Sequence, residues 1–470
     1  MRPLELSLLL LVAGVFLILV VRGRMPLSWL FGILAILTAF LALQVWLEMF
    51  RWQMAPLYIA LLILAMILVY AIAIGRPLKR RSLRWIGFSI FIIFLIILGA
   101  FLSLALPISK LPVPTGPYAV GTSNLYLVDN DRPEDYTEDS SDVRELMVQL
   151  WYPIDKQEDG DRAEYVQQMD IAGPALAARL NLPSFLLDHL QLIRANSVVD
   201  APIFIQDRPY PVLLFSHGLM GIRMQNSFQL EELASHGYVI ASPDHTYDSV
   251  LTIMPDDRVL FHDNDALFPE DISNIEAGQN LVNVRSGDLS FVLSRLEEMN
   301  QDPGEMLFEQ LSLNQVGFIG HSTGGGTVLE TCFQDDRCKA TVALDSWVEV
   351  VADENQLSEL PVPVLFMNSE DWLGPENRAI GKALATNSSA SSYEVTIAGA
   401  HHNNFTDIPL LSPLTPLLDL AGPVDGRRTL KIINDFSVSF FDEYLKGIPG
   451  EMSDKFESTY PEVRFEVYRP

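Results

Sequence analysis

The sequence predicts an α/β fold, a doubly wound and mostly parallel sheet, preceded by a four-helix transmembrane region. Three observations carry this expectation. Four long apolar stretches fill residues 1–110. From Val212 onward, short and nearly continuous apolar runs alternate with helical segments, the pattern of a parallel sheet covered on both faces. The pentapeptide Gly320-His-Ser-Thr-Gly324 sits between one such run and a helix-compatible stretch.

The apolar stretches are Leu6–Val21, Leu27–Leu47, Ala55–Gly75 and Trp85–Leu106, and none has a charge in its middle. Crossing a hydrocarbon core of ~30 Å takes about 20 helical residues. The first stretch lacks a small-residue cleavage site and runs into Arg22 and Arg24, so it reads as a retained span and not a signal peptide. Arg22, Arg24, Arg76, Lys79, Arg80, Arg81 and Arg84 fall on one side, and Arg2, Arg51 and Lys110 on the other. The positive-inside rule then places both termini, and residues 111–470, outside the cytoplasm of a multi-pass cell-membrane protein. Glu5 and Glu48 lie at helix ends and Gln44 is the main polar interior residue. Such a bundle reads as an anchor, since channels and transporters place ionisable groups along their path.

Charge divides the chain at the same place. Residues 1–110 hold ten Lys/Arg against two acids, a net of +8; the remaining 22 basic and 57 acidic residues give −35. A surface so negative excludes nucleic acid as a partner. Cys332 and Cys338, the two cysteines, match no zinc or redox spacing; a small-loop disulfide and two free thiols both stay open.

Residues 107–117 are proline-rich and read as a stiff linker. Asp129–Asp142 reads as a solvated hairpin tip, and Leu146–Tyr152 as a strand closed by Pro153. Residues 163–205 are expected to form a helical insertion, either a cap, a lipid-dipping segment or a helix on the sheet. The strand candidates are Val212–Phe215, Tyr238–Ala241, Val316–Ile319, Ala340–Leu344, Val362–Met367 and Tyr393–Ile397. Phe228–His236, Ile275–Met299 and Thr327–Phe333 read as the helices between them, and Phe436–Lys446 as a final amphipathic helix.

The Gly-x-Ser-x-Gly pattern in a strand–turn–helix context marks Ser322 as a candidate nucleophile. A serine hydroxyl needs a histidine to take its proton and a carboxylate to fix that histidine's tautomer. On such a sheet the chain order is serine, acid, histidine, and only His401 and His402 follow Ser322. For the acid, Asp345 and Asp371 both end strands, and fold logic leans to Asp371. An oxyanion hole needs two backbone N–H groups. Thr323 follows the nucleophile, and Leu219 lies in the turn Phe215-Ser-His-Gly-Leu-Met-Gly221. His217 reads as a brace of that turn. Asp244, His245 and Asp248 form a cluster for which metal binding is the minor reading. No metal or cofactor is expected, and neither a Walker lysine motif nor a Gly-x-Gly-x-x-Gly after a strand is present.

Residues from about 112 to 407 resemble the platelet-activating factor acetylhydrolases of the plasma and type II intracellular kind. The matching stretches are Gly116-Pro-Tyr-Ala-Val-Gly121, Phe215-Ser-His-Gly-Leu219, Leu233-Ala-Ser-His-Gly237, Gly320-His-Ser-Thr-Gly-Gly325, Ala343-Leu-Asp-Ser-Trp347 and His402-Asn-Asn-Phe-Thr-Asp407. The resemblance implies an α/β-hydrolase that removes short or oxidised acyl chains from phospholipids without calcium. It maps the acid to Asp345, leaving Asp371 as runner-up, selects His402 over His401, and agrees with Leu219 as the first oxyanion donor. It covers none of the membrane leader, and Thr323 replaces a bulkier family residue. The expectation is therefore a membrane-anchored serine ester hydrolase with a lipid or small ester substrate. A general carboxylesterase is the alternative, and a non-catalytic sensor on a hydrolase fold is the remote one.

Overall fold

The computed structural model describes all residues except 23–24, 75–82, 180, 371, 450–457 and 470. Arg24, Arg76, Lys79, Arg80 and Arg81 of the basic loops, and the alternative acid Asp371, thus lie outside the described residues. The chain divides into two compact units.

The first unit comprises Met1–Ser109 with two short returns of the chain, Asn181–Ile193 and Leu411–Leu414. Its helices are α1 (Pro3–Val21), α2 (Leu27–Glu48), α3 (Ala55–Ile74) and α4 (Leu83–Ala105). All four apolar stretches are long and apolar enough to cross a membrane. Leucine and small residues such as Leu57, Ala60 and Leu64 fill the space between helices, while Leu62, Met66 and Ile97 stay exposed. One end of the bundle holds an ion pair. There the Arg51 guanidinium meets the Glu5 carboxylate in two bonds of 2.7 and 2.8 Å and donates to the Leu106 carbonyl at 2.9 Å. Gln44 accepts a bond from the Tyr58 hydroxyl at 2.9 Å. In the return 181–193, the Phe185 ring meets Trp52 edge-on, with centroids 5.4 Å apart.

The second unit carries an eleven-stranded sheet. Its first strands are β1 (Ala119–Pro133), β2 (Val143–Ile154) and β3 (Arg162–Glu164). After α5 (Met169–Arg179) come β4 (Arg194–Val199), β5 (Tyr210–Ser216), α6 (Ser227–Ser235) and β6 (Val239–Asp244). The separate hairpin β7 (Leu251–Ile253) and β8 (Val259–Phe261) and the short α7 (Asn264–Leu267) lead to α8 (Asn274–Gln301). Then follow β9 (Leu311–His321), α9 (Thr323–Gln334), β10 (Cys338–Leu344), α10 (Asp353–Gln356), β11 (Val364–Asn368), α11 (Gly374–Thr386) and β12 (Ser392–Ile397). The chain closes with α12 (Ile408–Leu411), α13 (Gly426–Lys446) and β13 (Val463–Tyr468).

Strand order is β13-β12-β11-β10-β9-β5-β6-β2-β1-β4-β3. The stretch from β12 to β6 is parallel, and β2 and β13 join it antiparallel. Each apolar run of the sequence became one of the parallel strands, because a strand buried on both faces needs apolar side chains at successive positions. Two expectations differ from the structure. Among the described residues of 163–205 only α5 is α-helical, and β3 and β4 extend the sheet; the alternation in Arg194–Val199 is too short to separate from loop. The final helix begins ten residues before Phe436, since polar Asn434 and Asp435 interrupt its apolar pattern.

The sheet fixes where a site forms. The chain runs from β5 to β6 on one side, then returns to place β9 on the other side of β5. Order reverses between β5 and β9, and a crevice opens beyond their C-terminal ends at such a switch point. Leu219 follows β5 and Ser322 follows β9.

Candidate active site

Ser322 links β9 to α9 with φ 58° and ψ −122°, a region that non-glycine residues enter only under constraint. The constraint is visible. Ser322 N–H donates to Leu344 O at 2.9 Å, and Trp347 N–H donates to Ser322 O at 2.9 Å. The turn is so tight that a Cβ on Gly320 would fall 2.1 Å from Gly324 O, and one on Gly324 would fall 2.0 Å from Ser216 O. That is the physical reason for glycine on either side of His-Ser-Thr.

Those two hydrogen bonds tie Ser322 to the end of β10, where Asp345 also takes a positive φ of 42°. Asp345 is buried. Its carboxylate accepts the Ser369 N–H at 2.7 Å and the Ser369 hydroxyl at 2.9 Å. It also accepts Nδ1–H of His402 at 2.8 Å. With Nδ1 carrying the hydrogen, Nε2 of His402 is the acceptor nitrogen. Trp372 stacks on His402, ring centroids 3.3 Å apart and planes 9° from parallel. The structure therefore joins His402, not His401, to Asp345; the His401 side chain is half exposed and lies 3.7 Å from Asp419.

His321, the residue before Ser322, ties the loops together. Its Nε2 donates to His402 O at 3.2 Å, and its Nδ1 accepts from Gln225 Nε2 at 3.0 Å. Burial, and then the neighbouring His402, hold its pKa well below the ordinary imidazole value, so it serves as a neutral connector. Gln225 in turn accepts Gly218 N–H at 3.2 Å.

The backbone N–H groups of the turn after β5 can be assigned one by one. Gly218 donates to Gln225, Met220 to Asp248 O at 3.2 Å, and Gly221 to Gly218 O at 2.9 Å. Leu219 N–H, between them, has no acceptor among the described residues. Thr323 N–H opens α9, at the positive end of the helix dipole.

The remaining histidine cluster is structural. The Asp244 carboxylate pairs with Arg223, and His245 bonds Asp288 at 2.8 Å through Nδ1 and Ser216 Oγ at 3.0 Å through Nε2. Asp248 pairs with Arg285. Among the described residues no group of His, Cys, Asp or Glu is arranged to hold a metal. Cys332 and Cys338, left open by the sequence, form a disulfide between the end of α9 and the start of β10. Ser369, Trp372, Gln225 and Arg285 were not singled out from the sequence. Ser369 and Trp372 carried a usable signal, since they follow β11 at the same end of the sheet as Asp345.

Comparison with known proteins gives the family and the fold. The family described as platelet-activating factor acetylhydrolase, isoform II, matches residues 105–448. The chain belongs to that family. It is accordingly a serine ester hydrolase with an α/β-hydrolase fold. The platelet-activating factor acetylhydrolase of Cavia porcellus is 28% identical over 361 residues, spanning 72% of this chain and 78% of that protein. A probable 1-alkyl-2-acetylglycerophosphocholine esterase of Arthroderma benhamiae is 26% identical, over 76% of this chain and 93% of that one. Among solved structures, a ferulic acid esterase from Streptomyces cinnamoneus superposes with a TM-score of 0.62 at 27% identity, covering 76% of this chain and 99% of that one.

Proposed function

We propose that this family member is a membrane-anchored serine hydrolase that removes short or oxidised acyl chains from phospholipids through an acyl-enzyme. The observation that carries the reading is the 2.8 Å bond from His402 Nδ1 to Asp345 beside the constrained Ser322. Ser322 Oγ attacks the ester carbonyl as His402 Nε2 takes its proton. The negative oxygen of the tetrahedral intermediate is held by the Leu219 and Thr323 N–H groups. His402 then returns the proton to the departing alcohol, leaving the acyl group on Ser322. Water, activated by the same histidine, releases the acid and restores the serine. Asp345 holds the tautomer and stabilises the imidazolium.

The four apolar helices anchor the enzyme, with the hydrolase domain outside the cytoplasm. The loop charges support this orientation, and so does the disulfide, which suits an oxidising compartment. Protease shaving of intact cells tests it; a fully protected hydrolase domain would reverse the topology. Relatives named for acetyl phospholipid substrates support the substrate class. A fluorophosphonate probe should label Ser322 of the purified protein. A panel of phospholipids graded in second-chain length should then show preference for short or oxidised chains. The likeness to a ferulic acid esterase favours a second reading, a general carboxylesterase. Labelling with indifference to phospholipids would select it.

A further inference from the structure

We propose that Arg285 is a positioning residue that presets the oxyanion hole by fixing the peptide plane to which Leu219 N–H belongs. The proposal rests on the reading of Leu219 as an oxyanion donor.

Arg285 lies midway along α8, and its side chain is fully buried. One terminal nitrogen donates to His217 O at 2.6 Å; the other lies against the Asp248 carboxylate, which Nε also meets, and reaches Gly218 O at 3.4 Å. Gly218 O also accepts His217 Nδ1–H at 2.7 Å and Gly221 N–H at 2.9 Å. Three donors thus converge on one carbonyl. The Gly218 carbonyl and the Leu219 N–H share a planar trans peptide and point in opposite directions. Holding the oxygen on the α8 side therefore aims the N–H the other way. The preceding peptide is held at both ends, by Arg285 on His217 O and by Gln225 on Gly218 N. The following one is held by Asp248 O, which accepts Met220 N–H. The aim of Leu219 N–H is set before any substrate arrives, which is the condition for a donor to act without reorganisation.

His217 completes the brace. Its Nε2 accepts the Ser249 hydroxyl at 2.9 Å and the His245 N–H at 3.2 Å, so the ring hydrogen must sit on Nδ1, facing Gly218 O. A buried guanidinium needs a partner charge, which Asp248 supplies. The planar fork also explains why arginine is used, because it spans two successive carbonyls and a lysine ammonium cannot do so with the same geometry.

The test uses the full chain in detergent micelles, with two variants: Arg285→Lys, and the charge-neutral pair Arg285→Gln with Asp248→Asn. Active sites are titrated with a fluorophosphonate, so rates refer to folded enzyme. By analogy with losing an oxyanion donor, kcat on nitrophenyl butyrate should fall roughly tenfold in the lysine variant and up to ~100-fold in the pair. KM should stay within about twofold, since ground-state binding does not use the hole. Affinity for a trifluoromethyl ketone, which forms an oxyanion on Ser322, should fall by the same factor as kcat/KM. Titrated variants that keep kcat and ketone affinity would overturn the proposal while leaving the serine mechanism intact. A wild-type enzyme that the probe fails to label would instead defeat the serine mechanism. If the pair does not fold, Ser249→Ala loosens His217 more gently. A fewfold loss of ketone affinity at unchanged KM is expected there, and none would overturn the proposal.

Discussion

Ser216, His245 and Asp288 repeat the residue types of Ser322, His402 and Asp345 within one domain. In both sets the histidine Nδ1 lies 2.8 Å from its carboxylate. The surroundings differ. Asp288 is also bonded by Arg144 at 2.8 Å and 3.0 Å and by Arg132 at 2.6 Å. Burial raises the pKa of Asp288, but Arg144, His245 and Arg132 outweigh it and hold the acid ionised. Its field is balanced by guanidinium groups, and His245, wholly buried, is pushed down to about 4 by that burial. Asp345 has a serine N–H and hydroxyl as its other partners, and the His402 side chain is 20% exposed. A carboxylate whose charge is not already matched by arginine can stabilise an imidazolium as it forms. The partners of the acid, more than the three residue types, separate chemistry from architecture.

The largest effects should fall on opposite sides of this comparison. Ser322→Ala should lower turnover by at least ~10³-fold with an unchanged melting profile. Ser216→Ala should mainly cost stability, about 1 kcal/mol for one buried hydrogen bond. Asp345→Asn should leave the fold intact and reduce kcat by about 10³–10⁴, because the histidine tautomer is no longer held. Asp288→Asn should act in reverse, destabilising by about 3–5 kcal/mol as buried arginines lose their counter-ion. Steady-state rates beside urea melts separate the two. A greater rate loss in Asp371→Asn than in Asp345→Asn would remove Asp345 from its assigned role.

This split also explains what the sequence made legible. Ser322, its flanking glycines and the six parallel strands announce themselves locally, through a pentapeptide and through apolar runs. His402 and Asp345 needed the family resemblance, since chain order left His401 and fold logic leaned to Asp371. The Arg144–Asp288–His245–Ser216 network was illegible, because its members come from four separated elements and no local pattern records a hydrogen bond across 144 residues. Arg285 fails for the same reason. In sequence it is a basic residue on an amphipathic helix, a setting that ordinarily means a solvated face.

The buried set should also dominate the response to acid. Burial holds His217, His245 and His321 below the ordinary imidazole value. In the unfolded chain each titrates near about 6.5. Below that pH the unfolded state takes up protons that the native state refuses. The stability they confer is therefore complete above about pH 6.5 and declines as pH falls towards 4, by up to ~1.4 kcal/mol per pH unit per histidine. Asp407, its pKa raised by burial, works in the opposite sense. Denaturant melts between pH 7.5 and 4.5 should show falling stability, and His245→Gln should flatten that slope. An unchanged slope would mean that His245 is not neutral in the native state.

The smallest effect sharpens the accessible set alone. Trp372 lays its indole flat on His402, and its position after β11 places it near Ser369, which holds Asp345. An aromatic face attracts an imidazolium more than a neutral imidazole, by about 0.5–1 kcal/mol at a partly exposed site. Because His402 takes up the serine proton as the bond to the ester carbonyl forms, this attraction grows in the transition state. Trp372→Leu should then lower kcat about two- to fivefold with little change in KM, and Trp372→Phe should recover most of the loss. Recovery by phenylalanine is the discriminating result. If leucine and phenylalanine lose equally, the indole acts by filling space beside the histidine, and the charge of the imidazolium has no part in it.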